Sequence, residues 1–403
     1  MFPPNAPPAM EVFHQLWMYR IWAFVIALLL SLLLTPLFRW LALRRGIVDR
    51  PDHAVKIHPQ PIPYLGGGAI WLAWTVSLLI YYLGIADVEI AAHHLALLAG
   101  GVVAFLTGLA HDVRDIRPRT KLLGQALAGA ILLAGGIRWL AYPTHLGIPT
   151  LDLPETSWFV VAVCLGVHFA VVIGGTNAAN LLDGLDGLCS GVAAIVSIGF
   201  LLLATSLTAW AHPEWYQQPV AYKYTQLAMT ASFALAGAVI GFLPYNFNPA
   251  RIFMGDAGSV FIGYVLAAMM IMFSSRFGVV KWFVGALFIF GLPIFDTGLA
   301  VIRRLLNHRP IMMPDRSHLY NQLVDRLHLS VRVTVAILYG LSAIFAAAGL
   351  LVLYLPGRYA AILYVLVGLV FLAIVWRLGF FRMTDEERAA ADRYLAARRG
   401  ESP

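Results

Sequence analysis

The chain has 403 residues, 60% of them hydrophobic and only 12% charged. A soluble globular domain carries about 25% charged residues, so a soluble enzyme, a nucleic-acid-binding protein and a disordered scaffold are excluded. The formal charge of +7 then points to basic residues held on one side of a membrane, not to a nucleic-acid footprint.

A hydrocarbon core about 30 Å thick needs roughly 20 apolar residues per helix. Eleven segments approach that length: Trp17–Leu43, Leu65–Gly84, Leu95–Ala110, Leu122–Leu140, Trp158–Gly174, Leu188–Leu207, Gln226–Leu243, Ser259–Phe273, Trp282–Val301, Val331–Leu355 and Ala360–Phe380. The fold expected is all-α: a polytopic integral membrane protein of about 11 transmembrane helices over residues 17–381, with catalytic cytoplasmic loops. Residues 1–16, which include FPPNAPP, are expected to be disordered. The first apolar run is too long for a signal peptide and reads as a retained span. Residues 382–403 read as a polar, helix-prone cytoplasmic tail. The two cysteines, Cys164 and Cys189, lie beside apolar runs and have no spacing for zinc or a disulfide framework.

Eleven spans put the termini on opposite sides. With the C-terminus inside and the N-terminus outside, the cytoplasmic face takes the loops near 44–64, 111–121, 175–187, 244–258 and 302–330, plus the tail. All but six of the 28 Lys and Arg then lie on that face; the exceptions are Arg20, Arg138, Lys223, Arg276, Lys281 and Arg358. This is the positive-inside pattern of a plasma (inner) membrane protein.

Five polar stretches fall on the same face. KIHPQPIPYLGGG, residues 56–68, enters the second span. Its prolines fix the backbone, its glycines allow a backbone or ligand to approach closely, and Lys56 and His58 can meet phosphate. An ordinary loop-to-helix junction is the plainer reading of it alone. HDVRDIRPRTKLLGQ, residues 111–125, sets Asp112 and Asp115 on one face if the third span extends a further turn. A basic membrane-side loop explains its Arg114, Arg117, Arg119 and Lys121 but not its carboxylates.

GGTNAANLLDGLDGLCSG, residues 174–191, steps Asn177, Asn180, Asp183 and Asp186 by three, one oxygen-rich stripe if helical. Carboxylates among leucines at a membrane surface are costly unless paired or metal-bound. The stretch has no Lys or Arg of its own, so a hard cation such as Mg2+ suits it. FLPYNFNPARIFMGDAGSVFIGY, residues 242–264, places Asp256 in a glycine-flanked turn at the mouth of the eighth span, as a phosphate or metal site or as a plain N-cap. Phe253 alone reads more readily as a core aromatic than as a plate for a base. RRLLNHRPIMMPDRSHLYNQLVDRLH, residues 303–328, offers His308, Arg309, Asp315, Arg316, His318 and Asn321 for phosphate, or a basic patch for anionic lipid. Asp296 lies within the ninth span, and Arg303 or Arg304 is its expected partner.

A transporter gathers its polar residues near the bilayer midplane. Here the dense motifs lie in loops on one face and Asp296 is the main buried charge. That favours an interfacial enzyme performing Mg2+-assisted transfer between a soluble phosphate compound and a lipid.

The third, fourth and fifth stretches, in order, resemble the polyprenyl-phosphate N-acetylhexosamine-1-phosphate transferase family over roughly residues 35–330. NAANLLDGLDGL and PARIFMGDAGS are specific motifs; RPRTKLLGQ and PIPYLGG support them. PDRSHLYN resembles the motif of the branch that uses UDP-N-acetylglucosamine. The resemblance implies Asp256 as the main ligand of Mg2+ (or Mn2+), with Asn180 nearby. It implies Asp183 and Asp186 at the nucleotide or metal, Phe253 stacked on uracil with Asn246 close by, His318 and Arg316 at the diphosphate, and Asp112 and Asp115 near the lipid phosphate. Lys121 and Arg309, with Lys56 and His58, complete the expected substrate-binding set. Two departures from the pattern stand out. His111 stands where the first of two paired acids is usual, and an imidazole can serve as base there. Tyr320 and Asn321 replace two histidines.

The function expected is transfer of N-acetylhexosamine 1-phosphate, GlcNAc-1-phosphate above all, from a UDP-sugar to polyprenyl (undecaprenyl) phosphate. It releases UMP and starts cell-envelope polysaccharide synthesis. A phospho-N-acetylmuramoyl-pentapeptide-type transferase is the alternative within the family. A non-enzymatic transporter or lipid-binding protein is the alternative outside it. The partners expected are the UDP-sugar, the lipid and the membrane, with no nucleic acid; a homodimer is compatible with the sequence.

Overall fold

In a bilayer no water meets the backbone, so each apolar run must close its hydrogen bonds within a helix. Helix accordingly dominates the residues that the computed structural model describes: 9–49, 61–85, 91–114, 116–139, 158–209, 219–274, 280–308 and 318–381. In order they form α1 (Ala9–Arg45), β1 (Val48–Asp49), β2 (Ile62–Pro63), α2 (Gly66–Ile85), α3 (Ala91–Arg114), α4 (Pro118–Ala134), α5 (Trp158–Leu182), α6 (Leu188–Ala209), α7 (Pro219–Asn246), α8 (Gly255–Ser274), α9 (Val280–Ile289), α10 (Gly291–Leu306), α11 (Leu319–Asp325), α12 (Val331–Leu350), a 3-10 turn (Leu351–Leu353) and α13 (Gly357–Arg377). The tail, residues 382–403, lies outside the described residues.

Three expectations change. Of the segment 1–16, expected to be disordered, residues 9–16 are helical and residues 1–8 lie outside the described residues. Among the described residues nine unbroken helices, not eleven, are long and apolar enough to cross a membrane. The fourth predicted span is the 17-residue α4, stopped by Gly135 and Gly136, the latter at φ +88°. The ninth is split into α9 and α10, which meet at 78°. Pro293 explains the break: it has no N–H to donate and its ring crowds the carbonyl of Ile289.

Despite its length, α4 joins the two ends of the bundle. Lys121, near its start, meets Asn180 at the end of α5, while Gly136, just past its end, accepts from the Tyr224 hydroxyl at the start of α7. Seventeen residues rise about 26 Å. Exposed aromatics mark the two boundaries: Trp22 and Trp40 on α1, Tyr359 and Trp376 on α13. Each pair is separated by about 26–27 Å of helix, the thickness of a hydrocarbon core flanked by aromatic belts.

The centre of the bundle is α8, buried at every position from Ala257 to Ser274. Lipid is as apolar as leucine, so close packing rather than water exclusion holds the neighbouring helices. Small residues provide it. Gly175 of α5 faces Gly263 of α8, and the backbones of Gly67 on α2 and Gly258 on α8 nearly touch. Polar ties add direction, such as Tyr264 to the Leu97 carbonyl at 3.1 Å. The β1–β2 bridge, with Val48 opposite Pro63, lays the chain before α2 across the start of α8, where Phe253 N–H donates to the Pro63 carbonyl at 2.8 Å.

Candidate active site

The site is built around the first turn of α8. Gly66 and Gly67 donate their N–H groups to the carbonyls of Phe253 and Met254, which is the close backbone approach the glycine run allows. Gly108 of α3 lies against the backbone of Asp256 and Ala257, where a methyl group would overlap it. Gly255 turns the chain at φ +67°, a conformation that favours glycine. These contacts leave the Asp256 side chain facing the ends of α3, α4 and α5.

Asp112 accepts from the N–H groups of both Asp256 and Ala257 at 2.9 Å. It thus caps α8 from another helix, its negative charge against the positive end of the dipole. Tyr64 secures it by donating to the Asp112 carbonyl at 2.9 Å. Expected near the lipid phosphate, Asp112 here orients the turn that carries Asp256.

Lys121 Nζ lies 2.5 Å from Asp256 Oδ2 and 2.7 Å from Asn180 Oδ1. Asn180 Nδ2 donates to Asp256 Oδ1 at 2.8 Å and to Ser259 Oγ at 2.9 Å. His111 Nδ1 lies 3.2 Å from the Ile116 carbonyl, which makes that nitrogen the donor, and its Nε2 stands 3.5 Å from Asp256 Oδ2. His111, Lys121, Asn180 and Asp256 therefore form one cluster from four helices.

The oxygen-rich stripe does not form as a single helical face. Helix α5 ends at Leu182, and Gly184 and Gly187, the latter at φ +80°, open a turn that carries Asp183 and Asp186. Asn177 pairs instead with Gln125 at 2.9 Å. Asp186 receives Asn248 Nδ2 and the Ala250 N–H, both at 2.9 Å, and so holds the loop before Phe253. Asp183 is pushed well above the usual carboxylate range, by burial first and then by the negative charges of Asp256, Asp112 and Asp186. Asn246, expected beside uracil, is buried as a tie: its Oδ1 accepts from Gly187 N–H and Ser190 Oγ, and its Nδ2 donates to the Ile252 carbonyl. Phe253 is half-buried at the edge of the same loop.

His318 is buried at the start of α11. Asp296 accepts from its Nδ1 at 2.9 Å and from Leu319 N–H at 2.6 Å. The partner found for Asp296 is thus His318, where Arg303 or Arg304 was expected. The sequence carried no sign of this, because the two residues lie on separate elements. Tyr64, Ser259 and Gln125 were likewise not singled out; they lie inside PIPYLGG, PARIFMGDAGS and RPRTKLLGQ but are chemically ordinary. Lys56, His58, Asp115, Arg309 and Arg316 lie outside the described residues.

Among the described residues no three His, Cys, Asp or Glu side chains converge as a closed metal cage. The donor set does fit a hard cation completed by substrate. Mg2+ characteristically takes one or two carboxylates, amide or water oxygens and substrate phosphates. Asp256 and Asn180 supply such oxygens, already arranged around the Lys121 ammonium.

The profile of glycosyl transferase family 4 matches residues 94–274, from the start of α3 to the end of α8, and so takes in the cluster. A probable undecaprenyl-phosphate N-acetylglucosaminyl 1-phosphate transferase of Bacillus subtilis is 30% identical over 329 residues, 81% of this chain and 83% of its own length. The chain belongs to glycosyl transferase family 4. A decaprenyl-phosphate N-acetylglucosaminephosphotransferase of Mycolicibacterium smegmatis is 28% identical over 361 residues, 84% of this chain and 83% of that protein. A phospho-N-acetylmuramoyl-pentapeptide-transferase of Halalkalibacterium halodurans is 32% identical over 259 residues, but over only 62% of this chain. As a family 4 member the protein is a membrane-embedded sugar-phosphate transferase, and its charged cluster stands at the helix ends rather than at mid-bundle, as a transferase working at the interface requires.

Proposed function

We propose that the protein transfers N-acetylglucosamine 1-phosphate from UDP-N-acetylglucosamine to polyprenyl phosphate, with Mg2+ bound at Asp256 and Asn180. The carrying observation is the joining of Lys121, Asn180 and Asp256 at one end of the bundle. An ammonium beside a carboxylate and an amide oxygen at the helix ends supports a site for a metal and the phosphates of donor and lipid. The broader match to the N-acetylglucosaminyl relatives favours that sugar over the muramoyl-pentapeptide donor.

In this reading an oxygen of the lipid phosphate attacks the sugar-bearing phosphorus. The new P–O bond forms as the bond to the bridging oxygen breaks, and that oxygen leaves on UMP. Bound Mg2+ supplies charge neutralisation at the diphosphate. The chain's own residues do the positioning. Asp112 holds the Asp256 turn, Lys121 supplies an ammonium that can follow the diphosphate, and Asp183 and Asp186 shape the nucleotide side. Phe253 and Arg316 are assigned to uracil and the diphosphate. A phosphate monoester has a second pKa near 6 and is largely dianionic at neutral pH, so the nucleophile needs no base. Direct attack is therefore preferred to a covalent aspartyl intermediate, and His111 is not needed as a base. The basic face is cytoplasmic, in the inner membrane, with the N-terminus outside.

Purified protein with Mg2+, polyprenyl phosphate and a panel of UDP-sugars tests the proposal. UMP release is expected with UDP-N-acetylglucosamine and only when the lipid is present. Lipid-independent release removes the transferase reading, and flux of unmodified substrate without UMP supports a transporter.

A further inference from the structure

Asp296 lies in the apolar helix that follows the 78° break and is 2% exposed. A carboxylate at that depth is costly unless fully partnered. Both its oxygens are engaged, Oδ2 with His318 Nδ1 and Oδ1 with the N–H of Leu319. A carboxylate only accepts, so Nδ1 carries a proton and Nε2 is the ring nitrogen left to meet another group. The bond to the adjacent backbone fixes the base of the side chain as well as its plane. His318, 4% exposed, lies parallel to Tyr320 with 5.7 Å between centroids. The Tyr320 hydroxyl packs on Gly184, next to Asp183. A residue serving only to cap α11 would need the Leu319 bond and not the ring bond.

We propose that Asp296 is a positioning residue for the donor diphosphate: it holds the His318 ring with Nε2–H presented as a charged donor to the phosphates. The inference rests on the reaction proposed above, in which His318 meets the diphosphate. Asp296 touches no substrate itself. Its negative charge balances an imidazolium, and charge-assisted hydrogen bonds are about twice as strong as neutral ones.

Asp296→Asn separates this role from capping. Its amide oxygen can still accept from Leu319, but its NH2 faces Nδ1, which must then present a lone pair and leave the ring neutral with its proton on Nε2. The probe is UDP, measured by calorimetry in detergent with Mg2+. Asp296→Asn is expected to weaken UDP binding by about tenfold with little change in the thermal midpoint. His318→Gln should weaken it similarly, and the double variant should be no weaker than His318→Gln. Asp296→Glu, which restores the charge, should recover most of the affinity. Nitrogen-15 NMR of the UDP complex should find protons on both ring nitrogens of His318 in the wild type, a measurement that stands even if a variant fails to fold. Unchanged UDP affinity in Asp296→Asn, losses that multiply in the double variant, or a wild-type ring in that complex with a proton on only one nitrogen overturns the proposal. UDP binding that behaves as expected without lipid-dependent UMP release rejects the reaction and leaves the positioning role standing. A wild type that does not bind UDP rejects both.

Discussion

Lys121 Nζ bonds Asp256 Oδ2 at 2.5 Å while it also bonds Asn180 Oδ1 at 2.7 Å, so one ammonium rests on the two oxygens assigned to the metal. With Mg2+ at the proposed site, ammonium and metal would compete for those oxygens until the donor's phosphates drew the lysine away. Lys121→Met should therefore bind Mn2+, as a paramagnetic substitute, more tightly than the wild type in the absence of donor. It should also turn over about 100-fold more slowly, as loss of one donor to transition-state charge does. Weaker Mn2+ binding by electron paramagnetic resonance titration, or wild-type turnover, contradicts this placement.

Lys121, Asn180 and His111 all face the Asp256 carboxylate. Asp256→Asn keeps the shape and removes the charge. Turnover should fall by about a thousandfold or more, while the protein stays inserted and folded. Near-normal Mg2+-dependent UMP release from this variant moves the metal elsewhere.

Asp183 predicts a pH dependence of stability. Its carboxyl titrates well above the usual range in the folded chain, through burial and the charges of Asp256, Asp112 and Asp186. The unfolded value is about 3.9. The fold thus favours the neutral acid: its contribution is present below the unfolded value and is lost as pH rises through the raised folded value. In chelator at pH 8, Asp183→Asn should melt at a higher temperature than the wild type, with the gap narrowing toward pH 5 and on adding Mg2+ to the wild type. A variant less stable than the wild type in chelator at pH 8 shows that other groups already compensate the charge.

Asp112 caps α8 with both oxygens. Asp112→Ala should cost about 1–2 kcal/mol of stability, the usual loss for a cap. Turnover should fall with it, because the Asp256 turn loses its anchor. Asp112→Asn, which still offers one acceptor, should be intermediate in thermal denaturation. If both variants melt as the wild type does, the cap contributes nothing and any lost activity is electrostatic.

His111 tests the need for a base. A dianionic phosphate has no proton to give up, so His111→Ala should keep turnover within about tenfold. A base contributes roughly 100- to 10,000-fold, and a loss of that size assigns proton transfer to His111.

Several features were legible along the chain because their causes are local. The bilayer imposes helix length, so composition and run lengths alone identified an all-α membrane protein. The stretches NAANLLDGLDGL and PARIFMGDAGS announced carboxylates where apolar residues were expected, and Asp256, Asn180 and Lys121 do meet. The glycines of PIPYLGGG were read as allowing close approach, and Gly66 and Gly67 do bond the loop before Asp256.

Only the tertiary structure decided how those residues divide their tasks, because a side chain's partners come from other helices. The three-residue step from Asn177 to Asp186 suggested one stripe, but the turn after Leu182 and Gln125 from α4 sent those side chains to different partners. Asp112 became a cap because α3 ends where α8 begins, a matter of packing through Gly108. Asp296 looked like a partner for an arginine about two turns away on its own helix. The break at Pro293 and the return of the chain at Leu319 brought His318 to it instead. A membrane helix's length follows from its residues; what its end touches follows from where every other helix has been packed.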